Sequence, residues 1–245
     1  MLWKPEKLWD GSEVFIIGGG DSLRSFEFNL LTNEKTIGCN NAYQFGPTIC
    51  NICIFGDKKW FDHHQPGLER YVKKGGFVIT NDRKLESSKL PWLHYMPRKP
   101  KGLHLDALGW NANTGASAMN LALLMGAKKV YLLGFDRFVK KGRPNWHDHL
   151  IDKPNPDVYP RMNAPEGYCV RDLAKKFPGC TVINLTEHSE LPHWPKQSVI
   201  EFFNERKRNG RVSETDGRIG GDTHIADTAA DSGFEEVPGS VKIAG

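Results

Sequence analysis

Two histidines flank an aspartate in Pro144-Asn145-Trp146-His147-Asp148-His149. Imidazole titrates nearest to neutrality, so His147 and His149 are candidates for a general base that takes a proton from a hydroxyl. The His-x-His spacing is also a weak metal signal, with a solvated loop as the plainer account. The motif follows Gly134-Phe135-Asp136, whose carboxylate is the third candidate for chemistry. His63-His64, after Trp60-Phe61, is equally ambiguous.

A second group of residues suits binding. Gly18-Gly19-Gly20-Asp21-Ser22 ends the apolar run EVFII. Glycine in such a loop lets a ligand reach the backbone, and Asp21 or Ser22 can cap a short helix after it. Gly18-x-Gly20 begins a dinucleotide fingerprint, but Leu23 stands at the third glycine and no acidic residue ends the second strand. That excludes an ordinary NAD fold, and the absence of GxxxxGK[ST] excludes a P-loop kinase. Asn113-Thr114-Gly115-Ala116-Ser117 opens the strongest helical pattern. Thr114 is the expected N-cap, and helix N–H groups and dipole there suit a phosphate.

The elements that must position these groups alternate. Apolar runs predict strands over 13–17, 35–38, 49–55, 77–80, 93–96, 129–133 and 181–185. Helical patterns cover 116–125, 168–177 and 196–208. The expected architecture is α/β, a Rossmann-like three-layer fold with a mostly parallel sheet. Five strands stop at small or polar residues: the 18–22 loop, Asn40-Asn41, Gly56-Asp57, Asn81-Asp82 and Gly134-Phe135-Asp136. One such stop is a turn. Five on one edge predict a ligand crevice outside the carboxyl ends of the strands.

Composition narrows the partners. The formal net charge of +4 suits a phosphorylated small ligand and gives no strong nucleic-acid signal. No apolar run is long enough for a membrane span, and the start, MLWKPEKLWDG, lacks a signal-peptide pattern. A cytoplasmic protein with no membrane partner is expected, and a homo-oligomer is compatible with the sequence. The five cysteines are odd in number, and Cys50-Asn51-Ile52-Cys53 lies inside an apolar run. Buried free thiols are therefore expected. Residues 1–208 are read as one domain. Residues 209–245, rich in Gly, Ser, Thr and Asp, are read as a mobile or loosely packed tail.

Three blocks resemble the Rossmann-like superfamily of bacterial sialyltransferases that use CMP-sialic acid and archaeal 6-hydroxymethylpterin diphosphokinases. The first is Val14-Phe15-Ile16-Ile17-Gly18-Gly19-Gly20-Asp21-Ser22-Leu23, similar to their strand and G-x-G-P-S-L loop, with Asp21 at the proline. The second is Cys39-Asn40. The third runs from Thr114-Gly115 to Val130-Tyr131-Leu132-Leu133-Gly134-Phe135-Asp136. The whole also resembles proteins encoded by bacteriophages and prophages, which would place it in the host cytoplasm.

The resemblance implies that Gly18, Gly20, Ser22, Asn40, Thr114 and Gly115 hold a nucleotide. Gly19, Asp21, Asn41, Asp57 and Gly134 lie beside them at the strand ends and complete the expected binding set. The implied function is a nucleotide-dependent transferase, foremost a glycosyltransferase with a nucleotide-sugar donor and an unassigned acceptor. Two alternatives stand. One is a diphosphokinase-like enzyme with ATP and magnesium at Asp136 or Asp57. The other is a non-catalytic phage assembly or ligand-binding protein on the same fold.

Overall fold

The structure is a computed structural model that describes residues 3–137, 145–147 and 158–210, with backbone alone over 158–166. Seven strands form one sheet in the order β5-β4-β3-β2-β1-β8-β9, with every adjacent pair parallel. They are β1 (Glu13–Ile17), β2 (Lys35–Cys39), β3 (Ile52–Phe55), β4 (Phe77–Thr80), β5 (Leu93–Tyr95), β8 (Lys129–Leu133) and β9 (Thr181–Asn184). Two short strands, β6 (Arg98–Lys99) and β7 (Leu108–Gly109), pair beside it. The helices are α1 (Lys58–Lys73), α2 (Thr114–Leu124), α3 (Val158–Lys176) and α4 (Val199–Arg208).

Continuous apolar strands need cover on both faces, and here they have it. Val14, Ile16, Ile54 and Leu132 share one buried cluster with Ala118, Met119 and Ala122 of α2 and Leu173 of α3. Phe15, Ile17, Phe55 and Leu133 share the other with Trp60, Phe61 and Leu68 of α1 and Phe202 and Phe203 of α4. The result is a three-layer Rossmann-like fold. Arg206, near the end of α4, bonds to Glu13 and Glu34 and so ties that helix to the strand starts.

Several boundaries differ from expectation for local reasons. The third strand begins at Ile52 rather than 49. The Asn51 side chain accepts from Thr36 N at 2.9 Å, and Asn51 N donates to Thr36 Oγ1 at 2.9 Å, so side-chain bonds replace the ladder there. Asn113, not Thr114, is the N-cap of α2; its Oδ1 accepts from Gly115 N at 2.8 Å. A 3-10 helix, Asp21–Ser25, follows the glycine loop, but Gly20 occupies its cap and neither Asp21 nor Ser22 does. Helix α3 starts at Val158, ten residues before the expected start.

Asn113→Ala removes the cap acceptor and leaves the Gly115 N–H buried. We expect a loss of about 1 kcal/mol, a fall in Tm of about 2–4 °C by thermal denaturation. An unchanged Tm would show that the cap contributes nothing.

All five cysteines are free, and all but Cys180 are buried. Burial pushes the Cys50 thiol up to about 12, with hydrogen bonds from Tyr71 and Gly38 opposing it. These thiols fill space and are poor nucleophiles. Among the described residues no helix is long and apolar enough to cross a membrane. From residue 211 the expected tail lies outside the described residues, as do Asp148 and His149.

Candidate active site

Strand order decides where a ligand crevice opens. From β1 the chain runs outward through β2 to β5 on one side, and only later through β8 and β9 on the other. The switch point is therefore the carboxyl end of β1 and β8, where open α/β sheets bind ligands.

The first and third sequence blocks meet there on one ring. A β-carbon on Gly18 would lie 3.1 Å from the Phe135 ring, and one on Gly115 would lie 2.6 Å from it. Phe135 thus joins the first loop, the start of α2 and the end of β8. Gly18 N donates to Leu133 O and Gly20 N to Gly134 O, both at 2.8 Å. A β-carbon on Gly20 would lie 1.7 Å from Asp136 Oδ2. That oxygen accepts from Ser22 N at 3.1 Å, and Asp136 is 2% exposed.

These distances give the glycines a packing role. Gly18 and Gly20 are small so that the loop can close on β8. The same holds for Gly115, which is buried against Phe135. A valine there would meet the core.

Other strand ends are partly spent on the fold. Asn41 Oδ1 accepts from Trp60 Nε1 at 2.8 Å. Asp57 caps α1 through Lys59 N at 2.8 Å. Asp82 accepts from Lys58 N at 2.7 Å and Lys84 N at 2.9 Å. Asn81 Nδ2 donates to Ser117 Oγ at 2.9 Å. Yet Asn41 Nδ2 and Asn81 Oδ1 are buried on this edge with no hydrogen-bond partner. Such atoms cost free energy until water or a ligand bonds them. Asn40 is turned into the left-handed region, φ 52°, and stays part-exposed.

Arg137 is the residue that the sequence reading missed. It is 7% exposed and has φ 63°. Its guanidinium carbon lies 5.9 Å from the Phe135 ring centre. Burial pushes the Cys39 thiol far above its ordinary value, Cys50 adds to this, and Arg137 pulls it part of the way back. Cys39 ends β2 and Arg137 follows β8, the two strands that flank β1.

Residues 145–147 lie over the glycine loop. Trp146 N donates to Gly19 O at 2.9 Å, and its Nε1 donates to Gly18 O at 3.3 Å. Phe45 and Phe28 pack on the same indole, with ring centres 4.6 and 6.2 Å away. His147, part-exposed, is thereby held at the crevice rim. His64 is not: its Nδ1 lies 3.0 Å from Tyr43 Oη and its ring stacks on Trp60. His63 Nδ1 lies 3.0 Å from Lys59 O, within the same helix, α1.

A second histidine reaches this edge unforeseen. The loop after β9 docks on the end of β8: Phe135 N donates to Thr186 Oγ1 at 3.1 Å, Ser189 Oγ donates to Phe135 O, and Glu190 N donates to Asp136 O at 2.8 Å. His188 is exposed in that loop. Its signal was available, because the run 181–185 predicts a strand whose end must lie beside that of 129–133.

Among the described residues no group of three His, Cys, Asp or Glu side chains could hold a metal ion. Asp136 offers a magnesium ion one buried carboxylate already engaged by Ser22, and Asp57 caps a different element. A cavity of about 540 Å³ lies at the opposite edge, between Gly126, Lys128 and Phe177. It has none of the converging loops described above, so we place the site by topology.

No family model matches the sequence, and no curated protein sequence is similar to it. Solved structures are similar in fold. The MAf glycosyltransferase of Magnetospirillum magneticum AMB-1 superposes with a TM-score of 0.56 over 86% of this chain, at 11% identity. The chain covers 39% of that enzyme, about two fifths of its length. The sialyltransferase CstII of Campylobacter jejuni, in complex with cytidine-5'-monophosphate, gives a TM-score of 0.49 at 14% identity over 83% of this chain and 87% of that one.

The fold is one that glycosyltransferases use. At these identities the likeness is one of fold alone. The glycine loop, the start of α2 and the Gly134-Phe135-Asp136 turn occupy the switch point of that fold in this chain.

Proposed function

We propose that the chain is a nucleotide-dependent transferase of the glycosyltransferase type, binding a nucleotide-activated sugar where β1 and β8 end. The observation that carries this reading is the meeting of the glycine loop, the start of α2 and the end of β8 at the switch point of the sheet. The start of a helix there suits a nucleotide phosphate, and Arg137, over the Phe135 ring, adds a cation.

In this reading Arg137 and the first turn of α2 bind the phosphate, and Asn40 reads ribose or base. His147 or His188 takes the proton from the acceptor hydroxyl as its oxygen attacks the anomeric carbon. The bond from that carbon to the phosphate oxygen breaks, and Arg137 stabilises the charge left on the nucleotide.

Thermal denaturation with CMP, UDP, GDP, ADP and their sugars tests it. A ligand present at 100 times its Kd should raise Tm by about 5–11 °C, from about 2.7 kcal/mol of linkage. No shift with any nucleotide at millimolar concentration would overturn the proposal. A shift with ATP that requires magnesium would favour the diphosphokinase reading instead.

A further inference from the structure

The cavity at the amino edge of the sheet has no part in the crevice at the other edge. It encloses about 540 Å³, a volume in the range of small-molecule sites. Its floor is apolar. Leu123 and Leu124 end α2, Phe177 follows α3, and Cys180 precedes β9. Leu105 stands at the mouth, 65% exposed. An open apolar floor with a bare leucine beside it is surface that gains by being covered.

The wall is held in place. Trp9 N donates to Met125 O and Gly11 N to Gly126 O, both at 2.9 Å, so the segment before β1 is tied to the end of α2. Gly126 has φ 94°, and a β-carbon there would lie 2.8 Å from the Asp10 backbone.

The charges of the wall lean positive. Lys176 pairs with Asp172 at 3.1 Å. Lys7 and Lys128 form no ion pair among the described residues, and Asp10 is the one carboxylate that lines the cavity.

The chain carries a matching segment from this same edge. Helix α4 ends there: Arg206 bonds to Glu13, which Lys129 also reaches at 3.3 Å, and Gly11 and Lys128 line the cavity. Residues 211–245 follow α4. They have seven Asp and Glu against three Lys and Arg, whereas the whole chain has a net charge of +4. Their one aromatic residue, Phe234, is followed by Glu235-Glu236-Val237. Phe234 stands 24 residues beyond Gly210, a reach of about 80 Å extended and about 25–30 Å as a coil. A tether of that length gives an effective concentration on the order of millimolar, so a weak contact is enough.

We propose that the segment Gly233–Val237 docks in this cavity, with Phe234 on the floor of Leu123, Leu124 and Phe177, and Glu235 and Glu236 toward Lys128 and Lys7. A small anion would use the lysines and leave the floor wet. An uncharged apolar ligand would cover the floor and leave the lysines unanswered. An aromatic residue followed by two carboxylates meets both. The inference does not depend on the transferase reading.

Cys180 reports the docking, because it lines the cavity and is the one cysteine that is not buried. Iodoacetamide should label it alone in the native full chain, and Cys180→Ser should abolish that labelling. Phe234→Ser should label at least about 10-fold faster than wild type, the ratio expected when a docked fraction of about nine tenths or more is released. The double variant Glu235→Ser, Glu236→Ser should also label faster. The synthetic peptide Ala229–Val241, added to the Phe234→Ser chain, should restore protection, and the same peptide with serine at 234 should not.

Equal rates in wild type and Phe234→Ser, an unchanged rate in the glutamate variant, or a peptide that protects no better than its serine form would each overturn the proposal. So would wild-type protection that grows with chain concentration between about 1 and 100 μM, since the occupant would then come from a second copy.

Discussion

Gly20→Ala should cost about 3 kcal/mol of folding free energy, a fall in Tm of about 6–12 °C by thermal or urea denaturation. Gly20 has φ −64° and ψ 152°, a conformation that any residue adopts. Its glycine is needed for space, not for backbone freedom. The added methyl would meet Asp136 Oδ2 at 1.7 Å and Gly134 O at 2.7 Å. Neither yields cheaply, because Asp136 is buried and bonded to Ser22 N, and the Gly134 carbonyl accepts from Gly20 N. Removing the carboxylate should relieve part of the clash, so Gly20→Ala with Asp136→Ala should cost less than the two single costs summed. Strict additivity, or a stable Gly20→Ala chain, would show that the loop does not close on β8 in this way.

Arg137→Ala should weaken nucleotide binding about 10- to 150-fold by calorimetry, the equivalent of losing 1.5–3 kcal/mol of charge-assisted hydrogen bonding. Arg137→Lys should recover part of this, since it keeps the charge but not the planar fork. The left-handed backbone at residue 137 is a cost of about 1–3 kcal/mol that the surrounding structure imposes for any L side chain. The Ala variant should therefore stay folded. Unchanged affinity in both variants would remove Arg137 from the site.

The strands were legible because parallel strands covered on both faces are unbroken apolar runs. Their order followed from the glycine and asparagine stops only as far as one shared edge. Helix α1 was not legible. Trp60, Phe61, Leu68 and Tyr71 are its buried residues, but Pro66-Gly67 in its middle breaks the pattern that announces a helix. Gly67 is there because the Tyr43 hydroxyl lies 2.4 Å from where its β-carbon would be, a contact across two elements.

The candidate site was legible in its loops and not in its cation. Gly18, Gly20, Thr114, Gly115 and Asp136 come together as their blocks suggested, although the glycines serve packing. Arg137 gave no sign, because its place over the Phe135 ring beside the glycine loop follows from the strand order and not from its neighbours in sequence. His188 was overlooked for a similar reason: its loop meets Phe135 through Thr186 and Ser189 by way of β9, not by sequence.

The central place of β1 governs the order in which the chain can mature. Its pairing with β2 closes early, but its pairing with β8 joins Glu13 to Lys129, 116 residues apart. On the ribosome the five strands β1 to β5 emerge first, and until β8 follows, β1 is an unpaired edge made of Val14, Phe15, Ile16 and Ile17. Such an edge recruits other strands. A fragment ending before Lys129 should therefore aggregate where the longer chain does not, and the crevice comes into being only once β8 has been made.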